Sequence, residues 1–272
     1  MEKQWTLGFV GAGVMAETMI SGAIGKGVVS ADQILASDPN DSRRAHISDK
    51  WGVRGVTTQN QKVVDESGLI VVCVKPQSLP RVFKELGGKI PANAQVLSIV
   101  AGASIAALQA GLQHKKVARA MPNLPCRIHK GTTVWTGAMG EDADRIRQVL
   151  SCMGDAIEVD QEGHIDRATA VNGTGPAIIA EFVKAFMEAA TFIGEPRELA
   201  RESVLSTLKG TVDMIASSDE HVAQLIDEVT SPGGTTSRAL QVLKKGKMAA
   251  VVTDSVNAAY ERTLELGESL EK

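Results

Sequence analysis

The chain has 272 residues, of which 43% are hydrophobic, 22% charged and 3% aromatic, with 26 glycines and 9 prolines. This composition excludes a disordered or collagen-like chain, and the length predicts one large domain or two modest ones. The formal net charge of −3 gives no general attraction to nucleic-acid phosphates or anionic lipids. Few aromatic side chains are available for stacking on bases, so we expect neither a nucleic acid nor a membrane as partner.

The candidate metal ligands are scattered. Cys73, Cys126 and Cys152 form no CxxC pair, and the histidines show no HExxH spacing, so we predict no metal site. No stretch reaches the ~18 consecutive apolar residues of a membrane span. The apolar N-terminal stretch is interrupted by glycines and by Glu17, unlike the core of a signal peptide. We therefore expect the protein in the reducing cytoplasm.

Short apolar runs alternate with amphipathic stretches in the first 160 residues. Strands are predicted at residues 5–10, 33–37, 69–74, 96–100 and 117–121, with 132–136 and 156–159 extending the sheet. Helical patterns such as residues 15–26 and 41–51 lie between them. Continuous apolar strands separated by helix-length segments are typical of a parallel sheet covered on both faces.

Strand-like runs end near residue 163, and helical periodicity follows. Residues 197–215 carry an apolar stripe at spacings of three and four, and residues 247–270 interleave apolar and charged side chains. We predict an α/β protein in which a Rossmann-type domain (1–162) precedes an all-helical domain (163–272). An isolated helical domain of this size has too one-sided an apolar pattern to close its own core, which favours a dimer or larger oligomer.

The most informative local motif is Gly11-x-Gly13-x-x-Ala16, between a predicted strand and a predicted helix. In a dinucleotide-binding fold the first glycine permits a tight turn and the second lets the backbone approach the pyrophosphate. The third small residue brings the helix close to the strand. An ordinary glycine turn is the alternative interpretation. The strand, the helix and the N-terminal position together favour NADH or NADPH as cofactor.

Asp38 ends the second predicted strand, where a carboxylate accepts hydrogen bonds from the adenosine ribose of cofactors that lack a 2′-phosphate. Arg43 and Arg44 follow within two helical turns and are long enough to reach a 2′-phosphate, although both also fit a solvated helix face. The sequence leaves the choice between NADH and NADPH open.

Two loops follow later strands. Lys75, in Val74-Lys75-Pro76, lies at the carboxyl end of the sheet, where open α/β folds bind ligands, or else is a surface lysine. Pro122 and Pro125 bracket Asn123 in a rigid loop, which we expect to direct Asn123 into the cleft.

Two further segments lie in the helical half. Small residues at 172–177 interrupt a helical pattern and indicate close approach of another backbone or a ligand. Gly233 and Gly234 precede Thr235 and Thr236 at a predicted helix start. Free N–H groups and hydroxyls there form a candidate carboxylate site, whereas a simple helix cap is the alternative.

Six segments resemble pyrroline-5-carboxylate reductases in order and spacing. They lie at residues 8–13, 74–76, 98–102, 121–123, 173–177 and 230–236. The resemblance covers nearly the whole chain, and Ser-Pro-Gly-Gly-Thr-Thr at residues 231–236 is its most specific part. It implies a Rossmann domain followed by a helical domain that dimerises by interleaving, and the last step of proline biosynthesis as the activity.

The resemblance also implies site residues. Cofactor contacts are expected at Gly11, Ala12, Gly13, Val14, Met15, Asp38, Asn60, Val74, Lys75 and Ala101, and substrate contacts at Asp219, Gly234, Thr235 and Thr236. The chain departs from the usual family residues at Val14, Leu124, Asn172, Thr174 and Ile178, which bears on the finer substrate contacts.

The expected reaction is hydride transfer from NADPH or NADH to the C=N carbon of a cyclic imino acid. The substrate carboxylate would lie on the N–H groups of Gly234, Thr235 and Thr236, and the Thr236 hydroxyl would hydrogen-bond the ring nitrogen. The alternatives are a related imine or β-hydroxyacid oxidoreductase, and a non-catalytic NAD(P)-sensing regulator. β-Hydroxyacid dehydrogenases use an inward-facing lysine, and after the 173–177 segment the next lysine is Lys184.

Overall fold

The computed structural model describes residues 5–271, with the side chains of residues 5–268. The chain packs as two compact units. The first unit contains the chain up to Thr174 and again from Ala258 onward, and the helical unit is Gly175–Asn257. The domain boundary expected at 162/163 stays a prediction. The packing units divide twelve residues later, between Thr174 and Gly175, and the last helix is shared between them at Asn257/Ala258.

One eight-stranded sheet organises the first unit, in the order β3-β2-β1-β4-β5-β6-β7-β8. The strands are β1 (Leu7–Val10), β2 (Ile34–Ser37), β3 (Gly55–Thr57), β4 (Leu69–Val72), β5 (Gln95–Ser98), β6 (Val117–Pro122), β7 (Gly131–Thr136) and β8 (Gly154–Glu158). All seven predicted strands are present, and β3 is additional. The strand order reverses between β1 and β4, which creates a crevice at the carboxyl ends of these two strands.

The sheet is not parallel throughout. Strands β1 to β6 pair in parallel, but β7 runs antiparallel to β6, and β8 pairs in parallel with β7. The parallel sheet predicted from the sequence is confirmed for β1 to β6, and the two segments expected to extend it do so, but β7 joins β6 in the antiparallel direction. Eight residues separate β6 from β7, which is too short for the helical crossover that a parallel pairing needs.

Both faces of the sheet are covered, as predicted. Leu7 and Phe9 of β1 belong to one buried apolar cluster, while Val10 belongs to another. The helices of this unit are α1 (Val14–Gly25), α2 (Asp41–Trp51), α3 (Asn60–Asp65), α4 (Leu79–Leu86), α5 (Ile105–Leu112), α6 (Gly140–Ser151) and α7 (Gly163–Ala168). Alternate strand residues thus pack against helices on opposite sides.

The helical unit contains α8 (Gly175–Phe192), α9 (Arg197–Ser217), α10 (Val222–Glu228) and α11 (Thr235–Lys245). It also contains the start of α12 (Met248–Glu271). The all-helical character of the C-terminal part is confirmed. Between residues 5 and 271, no helix combines the length and the hydropathy required to cross a membrane.

Candidate functional site

The turn between β1 and α1 carries the two glycines of the motif. Gly11 has a φ of +96°, and a Cβ there would lie 2.9 Å from the carbonyl oxygen of Cys73, so this position requires glycine. A Cβ on Gly13, the N-cap of α1, would meet nothing within 4 Å. Ala16 is fully buried in the core. The structure therefore has a tight turn, free space above a helix N-terminus and close helix packing, which fit a bound pyrophosphate.

The Asp38 carboxylate is fixed at the end of β2. Its Oδ2 accepts a hydrogen bond from the N–H of Ala12 at 2.9 Å, and its Oδ1 accepts one from the N–H of Asn40 at 2.8 Å. The backbone N–H of Asp38 donates to the carbonyl of Thr57 in β3 at 3.1 Å. These bonds hold a negative charge beside the glycine turn, where the sequence predicted a ribose ligand.

Arg43 and Arg44 both bind groups of this chain. Arg43 Nε donates to the carbonyl of Ala12 at 2.9 Å, and its Nη2 lies 2.9 Å from Glu17 Oε2. Arg44 Nη1 donates to the carbonyl of Asp38 at 2.7 Å, and its Nη2 pairs with Asp41. The solvated helix face considered for both arginines is replaced by specific contacts between α1, α2 and the glycine turn.

Glu17 connects α1 to three cationic side chains of α2. Its carboxylate pairs with Arg43, with His46 Nε2 at 2.8 Å and with Lys50 Nζ at 2.9 Å. Burial would raise the pKa of Glu17, but the hydrogen bonds with His46, Lys50 and Arg43 outweigh it and hold that pKa at about 2. Glu17 is therefore ionised at every physiological pH.

A pocket of about 280 Å³ opens at the carboxyl ends of β1, β2 and β4. It is lined by Gly11, Gly13, Ser37, Asp38, Pro39, Thr58, Asn60, Cys73, Val74, Lys75, Ser78, Arg81, Val82 and Glu85. Six predicted cofactor contacts therefore converge on one cavity: Gly11, Gly13, Asp38, Asn60, Val74 and Lys75. Burial raises the pKa of the Cys73 thiol, so Cys73 contributes a neutral side chain to the wall.

A chain of polar side chains supports one wall of this pocket. Ser37 Oγ donates to Asn60 Oδ1 at 2.7 Å, and Asn60 Nδ2 donates to Glu85 Oε2 at 2.9 Å. Sequence reasoning missed Glu85 and Arg81, which lie on α4. Their position in the first helix after Lys75 was the available signal.

The other four predicted cofactor contacts lie outside the lining of that pocket. Ala12 is in the glycine turn, while Val14 and Met15 begin α1, with Val14 half-exposed. Ala101 follows β5 in a loop whose next residue, Gly102, has a φ of +77°. A Cβ on Gly102 would lie 3.2 Å from the backbone N of Gly267 in α12, so the end of α12 packs closely on this loop.

Asn123 does not point freely into a cleft, contrary to expectation. Its Nδ2 donates to Asn172 Oδ1 at 2.7 Å, and its Oδ1 accepts the N–H of Thr132 at 2.9 Å. Asn172 Nδ2 in turn donates to the carbonyls of Met121 and Thr132 at 3.1 and 2.9 Å. Asn172 lies in a π-helical segment (Thr169–Gly173). The interrupted pattern predicted there is real, and its asparagine fastens the segment to β6 and β7.

The threonines of the Gly-Gly-Thr-Thr motif begin α11, as predicted. Gly233 has a φ of +72°, and Gly234 is the N-cap, with no side chain to cap the first turn. Thr236 is the second helical residue and is half-buried, so it is not the capping residue considered as the alternative. The first-turn N–H groups of this helix are available to an anion.

Asp219 lies in the exposed turn between α9 and α10. Together with Gly234, Thr235 and Thr236 it belongs to the helical unit, whereas the lining of the pocket belongs to the first unit. Among the described residues, no group of three or more His, Cys, Asp or Glu side chains is arranged to hold a metal ion.

Two family models match the chain. One, described as pyrroline-5-carboxylate reductase dimerisation, matches residues 162–266, and one described as NADP oxidoreductase coenzyme F420-dependent matches residues 6–102. Residues 6–102 contain the glycine turn and every lining residue of the pocket described above. The first range contains the Gly-Gly-Thr-Thr motif.

Similar proteins cover almost the full chain. Pyrroline-5-carboxylate reductase of Synechocystis sp. is 35% identical over 266 residues, covering 96% of this chain and 98% of the relative. The Pseudomonas aeruginosa enzyme is 36% identical over 268 residues, covering 97% of each. A crystal structure of Plasmodium falciparum pyrroline carboxylate reductase with NADP bound superposes with a TM-score of 0.84 at 28% identity, covering 98% of this chain and 99% of that one.

Proposed function

The chain belongs to the pyrroline-5-carboxylate reductase family, and we propose that it reduces 1-pyrroline-5-carboxylate to L-proline with NADPH or NADH, the last step of proline biosynthesis. The observation that carries this proposal is the near-full-length likeness to these reductases in a chain that retains both the glycine-turn pocket and the Gly-Gly-Thr-Thr helix start.

The first unit would hold the dinucleotide. Its proposed contacts are Gly11, Ala12, Gly13, Val14, Met15, Asp38, Asn60, Val74, Lys75 and Ala101. NAD(P)H supplies the hydride for the C=N carbon when it is bound. The turn at Gly11 and the open space over Gly13 accept a pyrophosphate at the N-terminus of α1, and Lys75 adds a positive charge to the same cavity.

The helical unit would hold the substrate. The carboxylate would lie against Gly234, Thr235 and Thr236 at the start of α11. The Gly234 N–H already donates to the carbonyl of Ser231 at 3.0 Å, so the N–H groups of Thr235 and Thr236 are the proposed donors to the carboxylate. The Thr236 hydroxyl would hydrogen-bond the ring nitrogen, and Asp219 is a proposed further substrate contact. A protonated imine is already electrophilic, so orientation and exclusion of water provide most of the rate enhancement.

An alternative is a β-hydroxyacid dehydrogenase with the same architecture. That chemistry needs a lysine that exchanges protons near neutral pH, and so a lysine of lowered pKa. Lys184 is exposed, its ammonium lies 3.0 Å from Glu181, and this hydrogen bond raises the pKa of Lys184. Lys184, the first lysine after the 173–177 segment, therefore does not match the lysine that a β-hydroxyacid dehydrogenase needs. A non-catalytic NAD(P)-sensing regulator, the other alternative, would not need the carboxylate site on α11.

The proposed assembly is a homodimer or larger homo-oligomer in the cytoplasm, with a small imino acid as the partner and neither nucleic acid nor membrane involved. The dimerisation family matched by residues 162–266 supports self-association. Many apolar side chains of the helical unit are exposed. This also supports self-association, because large exposed apolar surfaces are normally buried against a partner.

The direct test is to incubate the protein with 1-pyrroline-5-carboxylate and either NADH or NADPH. Loss of reduced-cofactor absorbance should be matched mole for mole by L-proline in amino-acid analysis. A β-hydroxyacid with NAD⁺ or NADP⁺ serves as the control for the alternative oxidoreductase. Cofactor binding without proline formation would contradict the reductase and favour the regulator.

A further inference from the structure

We propose that this chain selects NADH over NADPH, and that Glu17 contributes to the selection by holding Arg43 away from the ribose site. The inference rests on the proposed function, because it assumes that the pocket at the glycine turn receives a dinucleotide. It resolves a choice that the sequence leaves open, between Asp38 as a ribose ligand and Arg43 or Arg44 as 2′-phosphate ligands.

The charge of the pocket beside β2 is negative. Asp38 lines the pocket with its carboxylate, whereas neither Arg43 nor Arg44 is among the described residues that line it. The two backbone N–H groups on the Asp38 oxygens fix the carboxylate but do not cancel its charge. A 2′-phosphate placed here would meet a like charge, while a ribose hydroxyl could donate to the remaining carboxylate lone pairs.

Two donors along one edge of the Arg43 guanidinium bind groups of this chain. Its Nε donates to the carbonyl of Ala12, and its Nη2 donates to Glu17. The same Ala12 donates its N–H to Asp38. Arg43 and Asp38 therefore bind adjacent peptide groups of the glycine turn. Moving Arg43 toward a ligand would break its bond to the Ala12 carbonyl in this turn and its ion pair with Glu17 in α1.

Glu17 is well suited to retain Arg43. Its side chain is only 17% exposed, so its attraction to Arg43 is screened less than that of a surface pair. His46 and Lys50 share the same carboxylate, and it stays charged down to about pH 2. Arg44 is similarly occupied by the carbonyl of Asp38 and by Asp41.

Two other cations line the pocket. Lys75 and Arg81 come from the β4–α4 side rather than from α2. Arg81 is exposed and is the principal rival, because an arginine that turned toward the ribose would bind a 2′-phosphate well. If it did so, NADPH would bind at least as tightly as NADH despite Asp38.

The test is a fluorescence titration of the full-length protein with NADH and with NADPH at fixed ionic strength, so that binding is read without turnover. The variants are Asp38→Asn, Glu17→Gln and Arg43→Met. Glu66→Gln is the matched control, because Glu66 pairs with Arg54 on the same unit and neither residue lines the described pocket.

The wild-type Kd for NADPH should exceed that for NADH at least about tenfold. In Asp38→Asn the two Kd values should come within about threefold, because the repelling charge is gone. Glu17→Gln should lower the NADPH Kd about three- to tenfold and leave the NADH Kd within about twofold, because Arg43 is released. Arg43→Met should weaken both dinucleotides alike, and Glu66→Gln should change neither.

Equal or tighter binding of NADPH by the wild type would overturn the inference while leaving the reductase assignment intact. A Glu17→Gln variant whose NADPH-to-NADH ratio matches that of Glu66→Gln would overturn the role of Glu17. Selective loss of NADPH binding in Arg43→Met would identify Arg43 as a 2′-phosphate ligand and contradict the proposal. Failure of both dinucleotides to bind would contradict the proposed function itself.

Discussion

The first unit and the helical unit differ in how much of their apolar surface this chain covers. Every residue of β1 and of β4 is buried, and both faces of the sheet have their own apolar cluster. In contrast, neither α8 nor α11 contains a buried residue. The apolar side chains that are buried among the described residues of the helical unit are Ala200, Val204 and Leu225.

This difference shows which of the two units forms its whole apolar core within one chain. The sheet and its helices have a core of the size that an independent domain requires. The helices from Gly175 to Asn257 instead leave side chains such as Phe182, Phe186, Val212 and Val251 between 41% and 60% exposed. A second copy of the chain, covering these faces, would supply the missing core.

The strongest perturbation should come from a charge on the exposed face of α8. Phe186 lies beside Phe182, with ring centroids 6.0 Å apart. Phe186→Glu should dissociate the oligomer and destabilise it by at least about 3 kcal/mol, because a lone carboxylate would be buried in the interface. Light scattering and thermal melting measure both effects.

The matched control is Met139→Glu, which alters an 86% exposed side chain of the first unit and should change stability by less than about 0.5 kcal/mol. Equal changes in mass and in melting temperature for Phe186→Glu and Met139→Glu would show that the exposed apolar face of α8 is not covered by a second chain.

Thr236 tests the chemistry assigned to the helical unit. Thr236→Val keeps the shape but removes the hydroxyl, and a hydrogen bond to a charged group contributes about 1.5–3 kcal/mol. We therefore expect kcat/KM to fall roughly ten- to a hundredfold, with little change in cofactor Kd. Thr236→Ser should retain most of the rate. A lower melting temperature with an unchanged rate per folded enzyme would make Thr236 structural.

Gly13 tests the first unit in the same way. Because a Cβ at Gly13 meets no protein atom within 4 Å, Gly13→Val should fold normally yet obstruct the pyrophosphate. The Kd for NAD(P)H should rise at least about tenfold, or ~1.4 kcal/mol, in a fluorescence titration. An unchanged Kd for NAD(P)H in Gly13→Val would show that the glycine turn is not part of the cofactor site.

The smallest effect concerns the Glu17 cluster. The pKa of Glu17 is about 2 in the folded protein, below its ordinary value of 4.5, so its ionised form stabilises the fold above pH 4.5 and this contribution is lost as pH falls toward 2. Glu17→Gln should cost about 1 kcal/mol at pH 7, as expected for a partly screened ion-pair network. The difference from wild type should shrink by pH 3 in urea unfolding. A constant difference would contradict the assigned ion pairs.

Much of the fold follows from the sequence because the apolar runs are long and regularly spaced. Residues 69–74 and 41–51 predicted β4 and α2 to within two residues. By contrast, β3 contains one apolar residue, Val56, and is defined by its pairing with β2. The residues of β7 do not themselves indicate that the strand runs antiparallel to β6. The short connection at residues 123–130 was the available signal.

The site was less predictable, since its details depend on contacts between elements far apart in the sequence. The glycine turn could be predicted because the spacing of Gly11, Gly13 and Ala16 between a strand and a helix is visible in the sequence itself. Arg43 binds Glu17, 26 positions away, and Asn123 binds Asn172, 49 positions away. These hydrogen bonds form only when the helices and strands pack together. The residue types indicate how far each side chain can extend and what charge it carries, but they do not identify the residue to which it binds.

The mass of the active wild-type enzyme tests most directly whether a second chain covers the exposed apolar faces of the helical unit. Light scattering at micromolar protein, with 1-pyrroline-5-carboxylate reduction assayed on the same sample, should give at least twice the mass of one chain. Activity should fall together with mass on dilution. A monomer with full activity would contradict the conclusion that a second copy completes the helical unit.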